Sequence, residues 1–462
     1  MIVPALLILG FSGVLFLHFA EPELSISWSY AHLGRETGRW LVGALAVLVL
    51  PPIFWHLGTR SAGRQPLPSL PRGWVGAGWL LLSLSLLFAA FLCAAFLAPT
   101  PWASMDSQFL LERVSSGEGD NARWHLLLMS HQAAAFLLRG VVEPLTSILV
   151  LNSLMAGVTI LSLLGSVMCL ARNRFEAISL GLLVCTTFGI VQVCVGHSDI
   201  YTMPLAVTAL YAWLALESIR GRLHPAWPAA LAGLGPFVYL GLVLLGPSVL
   251  VLLAVEWQRQ GGRRRCAIAV ACALVIAGAA TLPVFGAPFA FGEYYAALQR
   301  LAAASMGLNP DGYHLPWARM LSPEHLASVV HLMLLVDPVG WVLLLACTPP
   351  LLVRPGAWKS RVELVFLSLL VLPYLAFMIA MDPLYGAYAD WTLYSYGAVG
   401  TALLGGFAFV RWASDEPRFF GVLLGLALAV SSVHLLAKFH ALDVGRELHF
   451  EESPAHLYPK RP

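Results

Sequence analysis

Charge is what this sequence has least of: Asp, Glu, Lys and Arg supply only 11% of its 462 residues, against 59% hydrophobic. That is far more apolar surface than a soluble core could bury, so the composition excludes a soluble enzyme and indicates a polytopic membrane protein. The few charges nearly cancel, 27 basic against 25 acidic for a net +2, and no run of one sign stands out. A nucleic-acid partner and a charged binding tail are thereby excluded. There is no CxxC pair. The seven cysteines (Cys93, Cys169, Cys185, Cys194, Cys266, Cys272, Cys347) are odd in number and sit within or at the ends of apolar segments, as small hydrophobes. Neither a disulfide framework nor a zinc site is supported. No short-period repeat marks a solenoid, and the glycine-rich stretches form neither a phosphate loop nor a dinucleotide fingerprint. The first apolar segment, Met1 to Ala20, lacks a basic leader and is followed by Glu21 and Glu23. It is expected to be a retained helix and not a cleaved signal.

What is there is hydrophobic runs. A bilayer core of about 30 Å needs roughly 20 apolar residues per helix. By that rule the fold class is an all-α polytopic bundle of about thirteen spans, near 1–20, 40–57, 74–98, 146–170, 176–196, 201–219, 226–240, 241–257, 266–286, 333–353, 363–381, 393–411 and 419–437. The stretch 225–257 admits one long tilted helix or two short ones turning near Gly235, Pro236, Gly246 and Pro247. A single span would set Arg220 and Arg222 on the opposite face from Arg263, Arg264 and Arg265, against the positive-inside rule, so two are expected.

With that count the arginine-bearing loops share one side. They hold Arg60, Arg64 and Arg72, Arg172 and Arg174, Arg220 and Arg222, Arg259 to Arg265, Arg354 to Arg361, and Arg411 with Arg418. That side is expected to be cytoplasmic, together with the N-terminus. The longer segments 21–39, 99–145, 197–200, 287–332, 382–392 and 438–462 then face outward, in what is expected to be a bacterial inner membrane. None is long enough for a soluble domain, so an active site would be built from these loops on the helical scaffold.

Three outward segments carry the polar groups that a membrane protein places sparingly. The first, PWASMDSQFLLERVSSGEGDNARWHLLLMSHQAAAFLLR, sets Asp106 just beyond Pro101 and Trp102 at the mouth of the third span. A partly desolvated carboxylate there could take a proton from an alcohol or amine; the plainer reading is a helix cap made by Ser104 or Asp106. Its second half is expected to be an interfacial helix, because Pro144 opens a fuller span directly after it. His131 and Arg139 would there meet a lipid phosphate, or Arg139 would simply snorkel. In the second segment, GHSDIYTMP, the residues His197, Asp199 and Tyr201 sit in a short turn between spans, with Asp199 also suited to cap the next helix. In the third, MDPLYGAYADWTLYS, Asp382 and Asp390 bracket a tight turn, and Asp390 is placed to cap span twelve.

In order and sidedness these pieces resemble the GT-C superfamily of polytopic glycosyltransferases, of the mannosyl- and aminoarabinose-transferase type. SMDSQFLLE matches the acidic first loop, SHQAAAFLLRG the juxtamembrane helix with its histidine, and LTSILVLNSLMAGVTILSLL the long span that follows. GHSDIYTMP resembles an acidic-x-Tyr turn and DPLYGAYADW a DP-x-x-G-x-x-x-DW turn. The resemblance covers about residues 74–437. It leaves 1–73 as an N-terminal addition of two helices and a cytoplasmic loop, and 438–462 as an extracytoplasmic tail. It implies a polyprenyl-phosphate-linked sugar as donor, an extracytoplasmic acceptor, and inversion at the anomeric carbon with Asp106 as base. It also implies donors near the leaving phosphate, among His131, Arg139, Arg300, His314, Arg319 and Lys438. Asp199 with His197 would shape the site or hold a second ligand group. The adjacent acid pair of many relatives is missing, since Ser107 follows Asp106 and the next acid is Glu112. A divalent metal ion would therefore need Asp199 or Asp382 as second ligand. The residues alone leave open a transporter, which calls for paired broken helices and internal repeats, and an inactive assembly subunit docking a membrane-protein partner through its N-terminal helices.

Overall fold

The computed structural model describes residues 2–19, 105–116, 125–194, 200–285, 320–353, 361–380, 392–413 and 417–443. The expected spans 40–57 and 74–98 lie outside these residues, as do His197, Asp199, Arg300, His314, Arg319, Asp382 and Asp390, and the side chains of Asp106 and Lys438.

Every regular element among the described residues is helical. In chain order they are α1 (Ile2–Phe19), α2 (Met105–Ser116), α3 (His125–Leu137), α4 (Pro144–Leu170), α5 (Arg174–Cys185), α6 (Phe188–Cys194), α7 (Thr202–Ile219) and α8 (Ala226–Val238). A 3-10 turn (Leu240–Leu245) leads to α9 (Gly246–Trp257), followed by α10 (Gly262–Phe285), α11 (Pro323–Val336), α12 (Pro338–Val353), α13 (Arg361–Ala380), α14 (Thr392–Ser395), α15 (Ala398–Ala413) and α16 (Pro417–Asp443). Among the described residues, four helices are long and apolar enough to cross a membrane: Pro144–Leu170, Thr202–Ile219, Leu240–Trp257 and Arg361–Ala380. Joining α11 and α12 makes five.

These helices approach one another at small residues, as they must where lipid offers no hydrophobic drive for association. The Trp213 indole of α7 lies on Gly165 of α4. A Cβ on Gly233 of α8 would run into the backbone of Ala273 in α10, and one on Gly405 of α15 into the backbone of Gly340 in α12. The first helix also belongs to the bundle: α1 packs against α12 and α16 and buries Leu7 and Phe11 completely.

The structure corrects the expected spans in three places. A single helix over 333–353 is not formed. Ser322 accepts from His325 N–H at 3.3 Å and Pro323 takes the first helical position, so α11 starts about ten residues early. It then stops at Asp337, where Pro338 offers no N–H and drives the preceding residue out of the helical region, φ −154° and ψ 72°. The axes of α11 and α12 meet at 105°. The expected span 176–196 is divided at Thr186 and Thr187 into α5 and α6. At 226–240 the helix is only 13 residues long. The two-helix reading of 225–257 does hold: Arg259 of the α9–α10 turn donates to Ser218 O at 2.8 Å and to Ile219 O, so both arginine-bearing turns lie together. Gly221 and Gly261 make those turns at φ +75° and +73°, where a side chain would be strained.

Candidate functional site

The bundle has two unlike ends. At one, arginines tie helix termini together. Arg411 of α15 pairs with Glu176 of α5 at 2.9 Å and donates to Leu170 O at 2.5 Å, closing the end of α4. Glu256, 1% exposed, holds Arg259 at 2.7 Å and Arg265 at 3.0 Å, while Arg259 closes the end of α7. Arg222 pairs with Glu217 at 2.6 Å, and Arg220 reaches Glu363 at the start of α13 at 4.0 Å. The carbonyls that a helix leaves unpaired at its C-terminus are met here by guanidinium groups, which also suit the helix dipole. Trp227 and Trp257 stand exposed at this end, with Arg263 5.2 Å over the Trp257 ring.

At the opposite end lie the described parts of the segments singled out by the sequence, α2, α3 and the start of α7. The helix containing Asp106 adjoins the helix containing His131, because Gln132 Nε2 donates to Arg113 O at 3.2 Å. His131 is fully buried between α3 and α4. Its Nδ1–H donates to Leu127 O at 2.9 Å, and Nε2 lies 3.1 Å from Asn152 Oδ1. Burial holds its pKa below the ordinary 6.5 and favours the neutral ring. In that form the Asn152 carboxamide turns its NH₂ toward Nε2. A lipid phosphate could reach His131 only by displacing these partners, so the ring braces α3 on α4 from within. Arg139 stands exposed in the turn after α3, close to Gly140 at φ +82°.

Tyr201, nominated from its turn, is 6% exposed and begins a chain of aromatic contacts. Its ring centroid is 5.6 Å from that of Tyr239; Tyr239 is 5.7 Å from Tyr396, and Tyr396 is 4.7 Å from Tyr374. Gly241 makes this possible, since a Cβ there would overlap the Tyr396 hydroxyl and the Tyr239 ring. Tyr396 Oη has no hydrogen-bond partner among the described residues. Beside the tyrosines, Asp337 is 1% exposed, accepts from Thr401 Oγ1 at 2.6 Å and from Gly340 N at 2.8 Å, and holds the break between α11 and α12. A small cavity, with room for about one water, adjoins it, lined by Met333, Trp341, Tyr374, Met378, Tyr394 and Thr401 among others, with no Lys or Arg among the described residues that line it.

Sequence reasoning missed Asp337, Thr401 and the four further tyrosines. Asp337-Pro338 inside an apolar run was a readable break signal. The tyrosines gave none, because an aromatic in a hydrophobic segment looks the same whether it faces lipid or core. Among the described residues no three His, Cys, Asp or Glu side chains gather as for a metal ion; Asp199 and Asp382 lie outside them.

No protein-family model and no curated protein matches this sequence. Solved structures do. ArnT from Cupriavidus metallidurans, bound to undecaprenyl phosphate, aligns over 80% of this chain and 78% of its own with 14% identity and a TM-score of 0.50. The oligosaccharyltransferase of Archaeoglobus fulgidus in its apo form aligns over 82% of this chain with 12% identity and a TM-score of 0.45, and this chain spans 60% of its length. The same enzyme tethered to an acceptor peptide gives 10% identity and a TM-score of 0.43. Over about four fifths of its length, the chain shares its fold with that ArnT structure.

Proposed function

We propose that this protein transfers a sugar from a polyprenyl-phosphate donor to an acceptor at the end of the bundle opposite the arginine-bearing turns, on the extracytoplasmic face of the membrane. The observation that carries this reading is the Gln132 to Arg113 contact, which sets the Asp106 helix beside the His131 helix. The acid-bearing first loop and the juxtamembrane helix are thus neighbours, as a shared site requires. The fold likeness to an ArnT that holds undecaprenyl phosphate supports a lipid-linked donor by analogy.

In this reading Asp106 accepts the proton of an acceptor hydroxyl as its oxygen attacks the anomeric carbon. The new C–O bond forms opposite the bond to phosphate, which breaks with its electron pair going to the polyprenyl phosphate. The sugar's configuration inverts. Arg139, exposed beside α3, would be one of the cations that meet the leaving phosphate, with Arg300, His314, Arg319 and Lys438 as the others proposed. Tyr201 opens the aromatic wall, and His197, Asp199, Asp382 and Asp390 stand in segments that adjoin it in sequence. Asp106→Asn, assayed in membranes supplied with a polyprenyl-phosphate sugar, is expected to abolish transfer with expression unchanged. Full turnover by that variant would remove Asp106 from the role of base.

A solute transporter is the second reading, favoured by the 105° break with a buried acid at its apex. Vesicles that accumulate a solute in the absence of any lipid donor would support it over transfer.

A further inference from the structure

Helix α11 lies across the tyrosine-bearing end and is fixed at both of its termini. At its start, His325 Nε2–H donates 2.8 Å to Ile379 O, a carbonyl in the last turn of α13 that its own helix leaves unpaired. At its other end, His434 Nε2–H donates 2.9 Å to Leu335 O in the same manner, and Asp337 accepts the Thr401 hydroxyl of α15 at 2.6 Å. Asp337 does more than cap α12. One oxygen takes the N–H of Gly340, as an N-cap does, and the other reaches a different helix. Gly340 is required beside it, because a Cβ there would overlap the Asp337 carboxylate.

The geometry points to Asp337, with Thr401 as its partner, as a positioning residue for the proposed transfer: the pair fixes the angle of α11 and so sets the width of the cavity beside the tyrosines. Met333 and Val336 form the α11 wall of that cavity, against Tyr374 of α13 and Tyr394 just ahead of α15. A rotation of α11 about Asp337 would carry both residues away from the tyrosines. As it stands the cavity has room for about one water, so a substrate group enters only as α11 turns away. The aromatic rings, thioethers and hydroxyls that line it among the described residues suit an uncharged part of that substrate, its sugar or acceptor. The inference rests on the transferase reading for its kinetic consequence but not for its structural one.

The test separates the two. In the full-length protein reconstituted in lipid, with its native cysteines replaced, spin labels at Val330→Cys on α11 and Leu372→Cys on α13, both exposed, report the distance between these helices. Thr401→Val removes the hydroxyl at nearly constant volume and is expected to shift or broaden that distance, as Asp337→Ala should, while Thr401→Ser keeps the original distribution. In sugar-transfer assays Thr401→Val is expected to raise KM, by at most about tenfold, the full weight of one charge-assisted hydrogen bond, with kcat changed much less and Thr401→Ser restoring KM. An unchanged distance in Thr401→Val overturns the inference, and so does a changed distance with unchanged KM. Should Asp337→Ala not fold, Thr401→Val carries the test. If the unmodified protein transfers no sugar, the transferase reading fails, and the label distances still decide whether Asp337 fixes α11.

Discussion

Arg411 Nη1 lies 2.9 Å from Glu176 Oε2, joining α15 to α5 across 235 residues of sequence, with the two side chains 7% and 3% exposed. The guanidinium is boxed in on its remaining sides by Leu170 O and by the Phe407 ring, 4.8 Å from its centre. Removing one partner leaves the other charge buried and uncompensated, which costs about 3–5 kcal/mol. Arg411→Met or Glu176→Gln should therefore each lower the melting temperature of the detergent-solubilised protein strongly. The double variant should recover part of the loss, since no charge is left unpaired, though Leu170 O stays uncapped. Strictly additive losses would show that the pair is not coupled.

The hydrogen bonds from Arg259 to Ser218 and Ile219 place two arginine-bearing turns on one face. Single cysteines at Arg222 and Arg264, both exposed, should react with an impermeant maleimide from the same side of sealed vesicles. Cysteines at Ser116 and Leu321, exposed toward the other end, should react from the opposite side. Reaction of Arg222→Cys and Leu321→Cys from one side would contradict this topology.

At the crossing of α12 and α15 the backbones of Gly340 and Gly405 touch. Alanine favours a helix over glycine by about 1 kcal/mol, yet Gly405→Ala should destabilise, because overpacking at a backbone contact costs about 1–3 kcal/mol. A melting temperature equal to or above that of the unsubstituted protein would mean that the helices part without cost.

His131 supplies a pH dependence. Its folded pKa lies below the ordinary 6.5, so the unfolded chain binds the proton more tightly. Stability is then complete above that value and falls as the pH drops through the folded pKa. His131→Gln, which keeps a donor for Leu127 O, should flatten the fall in melting temperature as the pH drops below the ordinary 6.5. The same slope in both proteins would assign it to other groups.

Much of this was legible without coordinates. Scarce charge and long apolar runs are properties of the chain itself, and a bilayer accepts few ways of satisfying their backbones, so the helical class and the positions of α4, α7, α9 and α13 follow from hydropathy. Clustered arginines likewise indicated that the turns at 220 and 260 share a face. What no run of residues contains is the direction in which a side chain points. Lipid and protein interior are equally apolar, so a membrane helix carries little of the polar-to-apolar periodicity that marks the buried face of a soluble one. Tertiary packing alone therefore turned His131 inward onto Asn152, gathered Tyr201, Tyr239, Tyr374 and Tyr396 into one cluster, and matched Asp337 with Thr401. These pairings depend on which helices become neighbours, and that is decided where glycines such as Gly340 and Gly405 let two backbones meet.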